Sequence, residues 1–318
     1  MENLAVIGCG TMGHSIGLAA AWAGMNVKVY GVDAQDINHA THGLDNKLRV
    51  MVANALFDEE EAEDIRRRIT FLTSLDESVE EATFIIEAIP EALEMKHDLY
   101  HTLEQRVSEN VVIASNTSGF TPTALAEDAV HPERMIVTHF WNPGHLIPLV
   151  EVVKGAQTAQ STVDRAMALM TAMKKHPILI HKEIPGFIGN RLQYALFREA
   201  QFLLDEGVAS KEDIDAAVTY SIGRRLPVTG PLMTADMGGL DVFSAISDYL
   251  FKDLSTMKKS GKMLSKFVDA GHFGQKCGKG FYVWDDAFSD EKNTEREQML
   301  IQFLKRDEKM RDRNKNND

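Results

Sequence analysis

His139 and Glu151 are the two side chains whose types and spacing could move a proton. They lie in Val-Thr-His-Phe-Trp-Asn-Pro-Gly-His-Leu-Ile-Pro-Leu-Val-Glu-Val-Val, residues 137–153, with an apolar run on each side of Asn142-Pro143-Gly144. That pattern reads as strand, turn, strand, with the chain reversing near His145. His139 and Glu151 are equidistant from that centre. Residues opposed across two strands hold their Cβ atoms about 4.5–5.5 Å apart, which is hydrogen-bonding reach. A carboxylate on one imidazole nitrogen fixes the tautomer and favours the imidazolium, so the other nitrogen can take a proton from a hydroxyl near neutral pH. The same residues also describe a core histidine and a salt-bridging glutamate on a buried hairpin, and this stretch alone does not choose between the two.

What such a base would work beside is indicated at the N-terminus. Leu4-Ala5-Val6-Ile7 is a short apolar strand, Gly8-Cys9-Gly10-Thr11-Met12-Gly13 follows at once, and Ile16 to Ala23 continues as a helix. Gly8 and Gly10 permit a tight turn and close approach of a pyrophosphate to the backbone, with Thr11 and Met12 in the turn, and Gly13 lets the helix pack on its strand. The helix N-terminus then offers free N–H groups to the phosphates. A second strand, Val27 to Val32, ends at Asp33, twenty residues beyond Gly13. A carboxylate there accepts hydrogen bonds from ribose hydroxyls and repels a 2′-phosphate, so the expected cofactor is NAD and not NADP. A flavin-binding or merely structural unit is the competing reading, and strand, helix and acid in register weigh against it.

Composition limits what the rest can be. A chain of 318 residues exceeds the usual span of one core, so two domains are expected. Apolar residues at 44% and charged residues at 25% suit a soluble globular protein, and a net charge of −13 argues against nucleic acid or an anionic membrane as partner. Cys9 and Cys277 cannot build a disulfide framework and stand in no metal-ligand spacing, so no metal is expected. Met-Glu-Asn leads into the first strand without a basic leader, and no apolar run approaches transmembrane length. The expected setting is the cytoplasm.

Further along, Phe84 to Ala88 and Val111 to Ser115 read as buried strands whose ends carry Ile89-Pro90-Glu91 and Asn116-Thr117-Ser118. Polar groups just past strand ends face a ligand crevice, which makes Asn116 and Ser118 candidates; a simple turn or a helix cap would use them equally well. Residues 36–68 read as charged helix, with an acidic run from Asp58 to Asp64 followed by Arg66, Arg67 and Arg68. Val163 to Met173 reads as helix and Pro177 to His181 as strand. At Pro185-Gly186-Phe187-Ile188-Gly189-Asn190-Arg191 the alternation of strand and helix gives way to helical periodicity, predicting a helix from Phe187 to Glu206 and another from Ser210. Gly223 to Pro231 reads as a loop and Leu232 to Leu250 as one helix. A terminal helix, Thr294 to Arg311, carries Met299, Leu300, Phe303 and Leu304 on one face. The expected organisation is residues 1–182 binding NAD, 183–290 forming a helical substrate and dimerisation domain, and 291–318 forming a charged helix and tail.

With these motifs in hand, the chain resembles the 3-hydroxyacyl-CoA dehydrogenase family over nearly its whole length. The resemblance is carried by Gly8-x-Gly10-x-x-Gly13, Glu87-Ala88-Ile89-Pro90-Glu91, Asn116-Thr117-Ser118, His139-Phe140-Trp141-Asn142-Pro143, Leu149-Val150-Glu151-Val152 and Pro185 to Arg191, in that order. It implies a Rossmann-type, doubly wound, mostly parallel α/β sheet followed by a smaller all-helical domain, and a homodimer. It implies that His139 is the base, Glu151 its orienting partner, and Ser118 and Asn190 the polar groups around the reacting oxygen. Glu91, Lys96 and Asn142 are implied near the nicotinamide end of NAD. The reaction so implied is hydride transfer from C3 of a 3-hydroxyacyl substrate while His139 removes the hydroxyl proton.

Two departures bear on the acyl carrier. Acyl-CoA members present lysines to the CoA phosphates from the region that is acidic here, at Asp58 to Asp64, although Lys47, Arg49 and Arg66 to Arg68 leave some basic surface. Arg225, in the Gly223 to Pro231 stretch, is similar to a basic residue of the family's free-acid branch: gulonate 3-dehydrogenase, carnitine dehydrogenase and a pyridine-carboxylate dehydrogenase. A guanidinium is shaped to hold a carboxylate bidentately, and a surface salt bridge is its alternative use. Trp141 also stands where the family usually has a second phenylalanine, whereas Gly278-Lys279-Gly280-Phe281-Tyr282 is similar to acyl-CoA members, which serve fatty acid metabolism. The expected substrate is therefore a short 3-hydroxyacyl-CoA, such as 3-hydroxybutyryl-CoA, or a small free 3-hydroxy acid held by Arg225. A non-catalytic NAD-binding structural or sensor protein on the same fold is the reading from another class.

Overall fold

A computed structural model describes residues 2–315, which fall into two compact units: one runs up to Ile188 and resumes at Thr294, the other is Gly189–Asn293. The first unit is built on an eight-stranded sheet of β1 (Leu4–Ile7), β2 (Val27–Tyr30), β3 (Ile69–Leu72), β4 (Phe84–Glu87), β5 (Val112–Ser115), β6 (Met135–Phe140), β7 (Leu149–Val153) and β8 (His176–Ile180), in the order β3-β2-β1-β4-β5-β6-β7-β8. All neighbours are parallel except β6 and β7. The helices of this unit are α1 (Thr11–Trp22), α2 (Ala34–Ala53), α3 (Glu59–Arg67), α4 (Leu75–Val79), α5 (Leu93–Glu104), α6 (Pro122–Leu125) and α7 (Gln160–Ala172).

The central strands are buried at every position because both faces of the sheet are covered. Leu4, Val6, Phe84 and Ile86 pack with Ile16 and Leu44 of α1 and α2. Ala5, Ile7, Ile85 and Ile113 pack on the other side with Tyr100 and Leu103 of α5. This is the expected doubly wound architecture, with two local corrections. β2 stops at Tyr30 rather than Val32: Gly31 still bonds to Leu72, but Val32 is 74% exposed and the chain has already left the sheet. β3 is a correction to the sequence reading: Ile69-Thr70-Phe71-Leu72 is only four residues long, follows directly on the charged helix, and as an edge strand buries only Ile69.

The second unit is helical: α8 (Gly189–Asp205), α9 (Lys211–Ala217), α10 (Gly223–Arg225), α11 (Pro231–Gly238), α12 (Leu240–Leu250) and α13 (Lys262–Asp269), with the terminal helix α14 (Asp286–Lys315) beginning within it. Ser210 caps α9 by accepting from Asp213 N, as the sequence predicts. The supposed loop at Gly223 is helical as far as Arg225, because a π-turn over Val218–Ile222 continues α9 into α10. The single helix expected over 232–250 is broken at Gly239, whose φ of 92° ends α11. α14 starts eight residues earlier than expected and is phased differently. Ile301 and Leu304 pack against Leu146, while Met299 is 53% exposed. Residues 316–318 of the expected tail lie outside the described residues.

Candidate active site

The carboxyl edge of the sheet is where the motifs meet. Ile7, Glu87, Ser115 and Val137 are successive register partners across β1, β4, β5 and β6, so the segments that follow them leave the sheet side by side. The strand order reverses direction between β1 and β4, which is where open α/β sheets form a ligand crevice.

The glycine turn fits a dinucleotide. Gly8 has φ 104°, and a Cβ there would lie 2.7 Å from Ala88 O; a Cβ on Gly13 would lie 1.7 Å from Gly8 O. Gly10 faces open space, caps α1 with no side chain, and the first turn of α1 carries no acid. Its Thr11, Met12 and Gly13 backbone is thus an uncapped helix N-terminus with room for a pyrophosphate. Asp33 is exposed and spends one carboxylate oxygen capping α2 at Asp36 N, 2.8 Å. Its second oxygen accepts no hydrogen bond among the described residues. The neighbouring Cys9 thiol is no nucleophile, since burial and the Asp36 carboxylate push its pKa up to about 12.

The His139–Glu151 pair is formed as the spacing predicts. β6 and β7 pair antiparallel with His139 opposite Glu151, and Val137 opposite Val153 centres the reversal at His145. His139 Nδ1 lies 2.8 Å from Glu151 Oε2, with His139 4% exposed and Glu151 fully buried. An ionised carboxylate only accepts, so Nδ1 carries the hydrogen and Nε2 is the basic nitrogen. The Glu151 charge is held by further donors: Ile188 N reaches Oε1 at 2.9 Å, and the Trp141 indole Nε1 reaches Oε2 at 3.2 Å. Phe187, in the left-handed region at φ 51° and fully buried, places its ring 5.5 Å from the imidazole while aiming the next amide at Glu151. Trp141 thus has a polar role that its position in the motif did not disclose.

A second polar cluster lies under β4 and β5. Lys96 Nζ donates to Glu87 Oε1 at 2.7 Å and lies 3.3 Å from Glu91 Oε2, with only 1% of its side chain exposed. Tyr100 and Ser115 donate to Glu87 Oε2 at 2.7 and 2.6 Å. Glu91 Oε1 accepts from Ser118 N at 3.0 Å and from the Thr117 hydroxyl. Asn116 Oδ1 accepts from Phe140 N at 2.8 Å, tying the end of β5 to β6 beside His139. Ser118 and Asn142 are exposed on this edge. Glu87 and Tyr100 went unassigned in the sequence because a lone acid ending an apolar strand and a tyrosine inside a helix give no pattern.

Asn190 and Arg225 belong to the second unit, in the first turn of α8 and at the end of α10. Arg225 is exposed and has no ion-pair partner among the described residues. The basic groups near the acidic run are largely engaged. Lys47 Nζ donates to His14 Nε2 at 2.8 Å, Arg66 pairs with Asp45 at 3.2 Å, Arg67 pairs with Asp64, and Arg68 donates to Ala21 O.

The 3-hydroxyacyl-CoA dehydrogenase NAD-binding domain model matches residues 3–184, and the C-terminal domain model of 3-hydroxyacyl-CoA dehydrogenase matches residues 186–284. The chain is 33% identical over 301 residues to 5-formyl-3-hydroxy-2-methylpyridine 4-carboxylate 5-dehydrogenase of Mesorhizobium japonicum, covering 95% of this chain and 96% of that protein. A crystal structure of a dehydrogenase of that name, an NAD+-dependent dismutase, superposes with a TM-score of 0.88 at 33% identity over 95% of this chain and 96% of the other. A probable 3-hydroxybutyryl-CoA dehydrogenase of Bacillus subtilis is 33% identical over 290 residues, 91% of this chain and 99% of that one. The structure of (S)-3-hydroxybutyryl-CoA dehydrogenase from Ralstonia eutropha gives a TM-score of 0.75 at 31% identity, over 90% and 100% of the two chains.

Proposed function

The chain belongs to the 3-hydroxyacyl-CoA dehydrogenase family, and on that premise we propose that it oxidises the hydroxyl of a small free 3-hydroxy acid, with His139 as the base. It is an NAD-dependent dehydrogenase acting on CH–OH. The observation that carries the chemical reading is the buried His139–Glu151 hydrogen bond at the carboxyl edge of an NAD-binding sheet. Bound NAD supplies the hydride acceptor. His139 Nε2 takes the hydroxyl proton, Glu151 stabilises the imidazolium that forms, and Ser118 and Asn190 hold the reacting oxygen. Gly8 to Gly13 take the pyrophosphate and Asp33 the adenosine ribose, with Glu91, Asn116 and Asn142 on the nicotinamide side and Lys96 behind them.

Three observations favour the free acid. Arg225 is an exposed guanidinium with no ion pair among the described residues, as a carboxylate clamp requires. Of the basic groups that could meet a CoA phosphate, Lys47, Arg66, Arg67 and Arg68 each have a partner within the protein, which leaves Arg49 exposed. The pyridine-carboxylate enzyme also superposes more closely than the 3-hydroxybutyryl-CoA enzyme, 0.88 against 0.75. The second reading, a 3-hydroxyacyl-CoA substrate and a place in fatty acid metabolism, is favoured by the Gly278 to Tyr282 tail and the Bacillus subtilis relative. A non-catalytic NAD-binding role is disfavoured, since the buried dyad is complete.

NAD reduction by the purified protein tests this, against 3-hydroxybutyryl-CoA, free 3-hydroxybutyrate, carnitine and gulonate, for wild type and Arg225→Ala. The expected result is turnover of a free acid, with Arg225→Ala raising its KM at least tenfold. Turnover of the thioester alone, unaffected by Arg225→Ala, would overturn the free-acid reading.

The second unit is further proposed to self-associate as a homodimer: Leu232, Met237, Tyr249 and Phe251 are 84%, 76%, 64% and 68% exposed, more apolar surface than a monomer usually shows to water. Two free cysteines, Cys9 and Cys277, fit a cytoplasmic setting.

A further inference from the structure

Glu87 is a carboxylate with no contact to solvent, placed two strands away from the base, and the reaction as described gives it no task. A buried carboxylate must be compensated, and Glu87 accepts four hydrogen bonds: Ile89 N at 2.8 Å and Lys96 Nζ at 2.7 Å on Oε1, Tyr100 and Ser115 hydroxyls on Oε2. Each donor leads somewhere. Lys96 lies between Glu87 and Glu91, and Glu91 Oε1 grips the Ser118 amide and the Thr117 hydroxyl. Ser115 Oγ, held by Glu87, accepts in turn from Thr117 N at 3.1 Å. The Thr117 hydroxyl then accepts from Gly119 N and Phe120 N. The turn carrying Ser118 is therefore fastened twice, through Lys96–Glu91 and through Ser115, and both fastenings end on one carboxylate.

We propose that Glu87 is a positioning residue for Ser118: its buried charge fixes Lys96 and Ser115, and through them the exposed turn that presents the Ser118 hydroxyl to the reacting oxygen. This rests on the reading that Ser118 contacts that oxygen. A neutral amide at Glu87 keeps the size but can no longer accept from four donors at once. Its own NH2 replaces one oxygen and faces the two donors that oxygen held, and Lys96 is drawn toward Glu91. The turn then loses its fixed register, and a misplaced polar group costs turnover more than binding.

The test is a double-mutant cycle of Glu87→Gln and Ser118→Ala. NAD reduction is followed with both 3-hydroxybutyrate and 3-hydroxybutyryl-CoA as probes, and NADH affinity by fluorescence titration. Glu87→Gln is expected to lower kcat by about 10- to 100-fold with KM values within about threefold, and the double variant to be within about twofold of Ser118→Ala alone. If the two losses multiply, or if Glu87→Gln keeps full kcat, the relay is wrong while the role of Ser118 stands. If Ser118→Ala itself keeps full kcat, the role of Ser118 falls and this proposal with it. Should Glu87→Gln fail to fold, Thr117→Val reads the same relay from its far end, and normal kcat in that variant overturns the proposal.

Discussion

Trp141 enters the site by a single atom. Its indole N–H shares Glu151 Oε2 with His139, at 3.2 Å against 2.8 Å, so the oxygen that serves the imidazole has a second donor. Phenylalanine at this position keeps the aromatic contact, whose centroid lies 5.6 Å from the His139 ring, and removes only the donor. Trp141→Phe is therefore expected to lower kcat about fivefold, the equivalent of about 1 kcal/mol for one hydrogen bond, with substrate KM unchanged. Steady-state kinetics decide it: unchanged kcat with raised KM would make Trp141 a wall of the substrate pocket instead. Gly13 is the opposite case, a residue whose role is to have no side chain. Gly13→Ala would set a Cβ 1.7 Å from Gly8 O, so the turn must open. NADH fluorescence titration is expected to show cofactor binding lost or weakened by more than tenfold, and a normal affinity would mean that the phosphates do not approach this turn.

At the scale of elements, the connection between β6 and β7 is long, residues 141–148, and has little regular structure to hold it. It is held instead by Lys175, 8% exposed, whose ammonium donates to Gly144 O at 2.6 Å and Ile147 O at 3.1 Å. Lys175→Met leaves those carbonyls without their charged donor and is expected to destabilise the protein by about 2–3 kcal/mol. A urea midpoint equal to wild type would show that the loop is fixed otherwise. The strands flanking this loop were legible in the sequence because an apolar run stands on each side of Asn142-Pro143-Gly144 and His139 and Glu151 are equidistant from His145. The glycine turn was legible because each glycine has its own steric reason. The edge strand β3 and the break at Gly239 were not, the first for want of buried residues and the second because two glycines inside an apolar run read as continuous helix. The relay at Glu87 was invisible for another reason: its members come from β4, α5 and the end of β5, and only the sheet brings them together.

At the scale of the whole molecule, two buried histidines are expected to make stability fall in acid. His145 is 2% exposed with neither ring nitrogen hydrogen-bonded among the described residues, and burial, with Lys47, Lys175 and His14 beside it, lowers its pKa to about 3. His14 is lowered as well, by burial and by Lys47. A histidine depressed in the folded state costs nothing above about pH 6.5, where both states are neutral. Below that the unfolded chain takes the proton first, and stability falls by about 1.4 kcal/mol per pH unit per group until the folded pKa is reached. His145→Leu is expected to flatten the loss of stability between pH 6 and pH 4 by about one proton's worth, read from urea unfolding at each pH; an unchanged slope would mean that His145 is not held neutral. If His139 is the base of an NAD-linked dehydrogenation, turnover by His139→Ala beside its NADH affinity shows it most directly. kcat is expected to fall by at least about 100-fold with NADH bound as in wild type. Turnover that survives the substitution, with the cofactor bound normally, would contradict it.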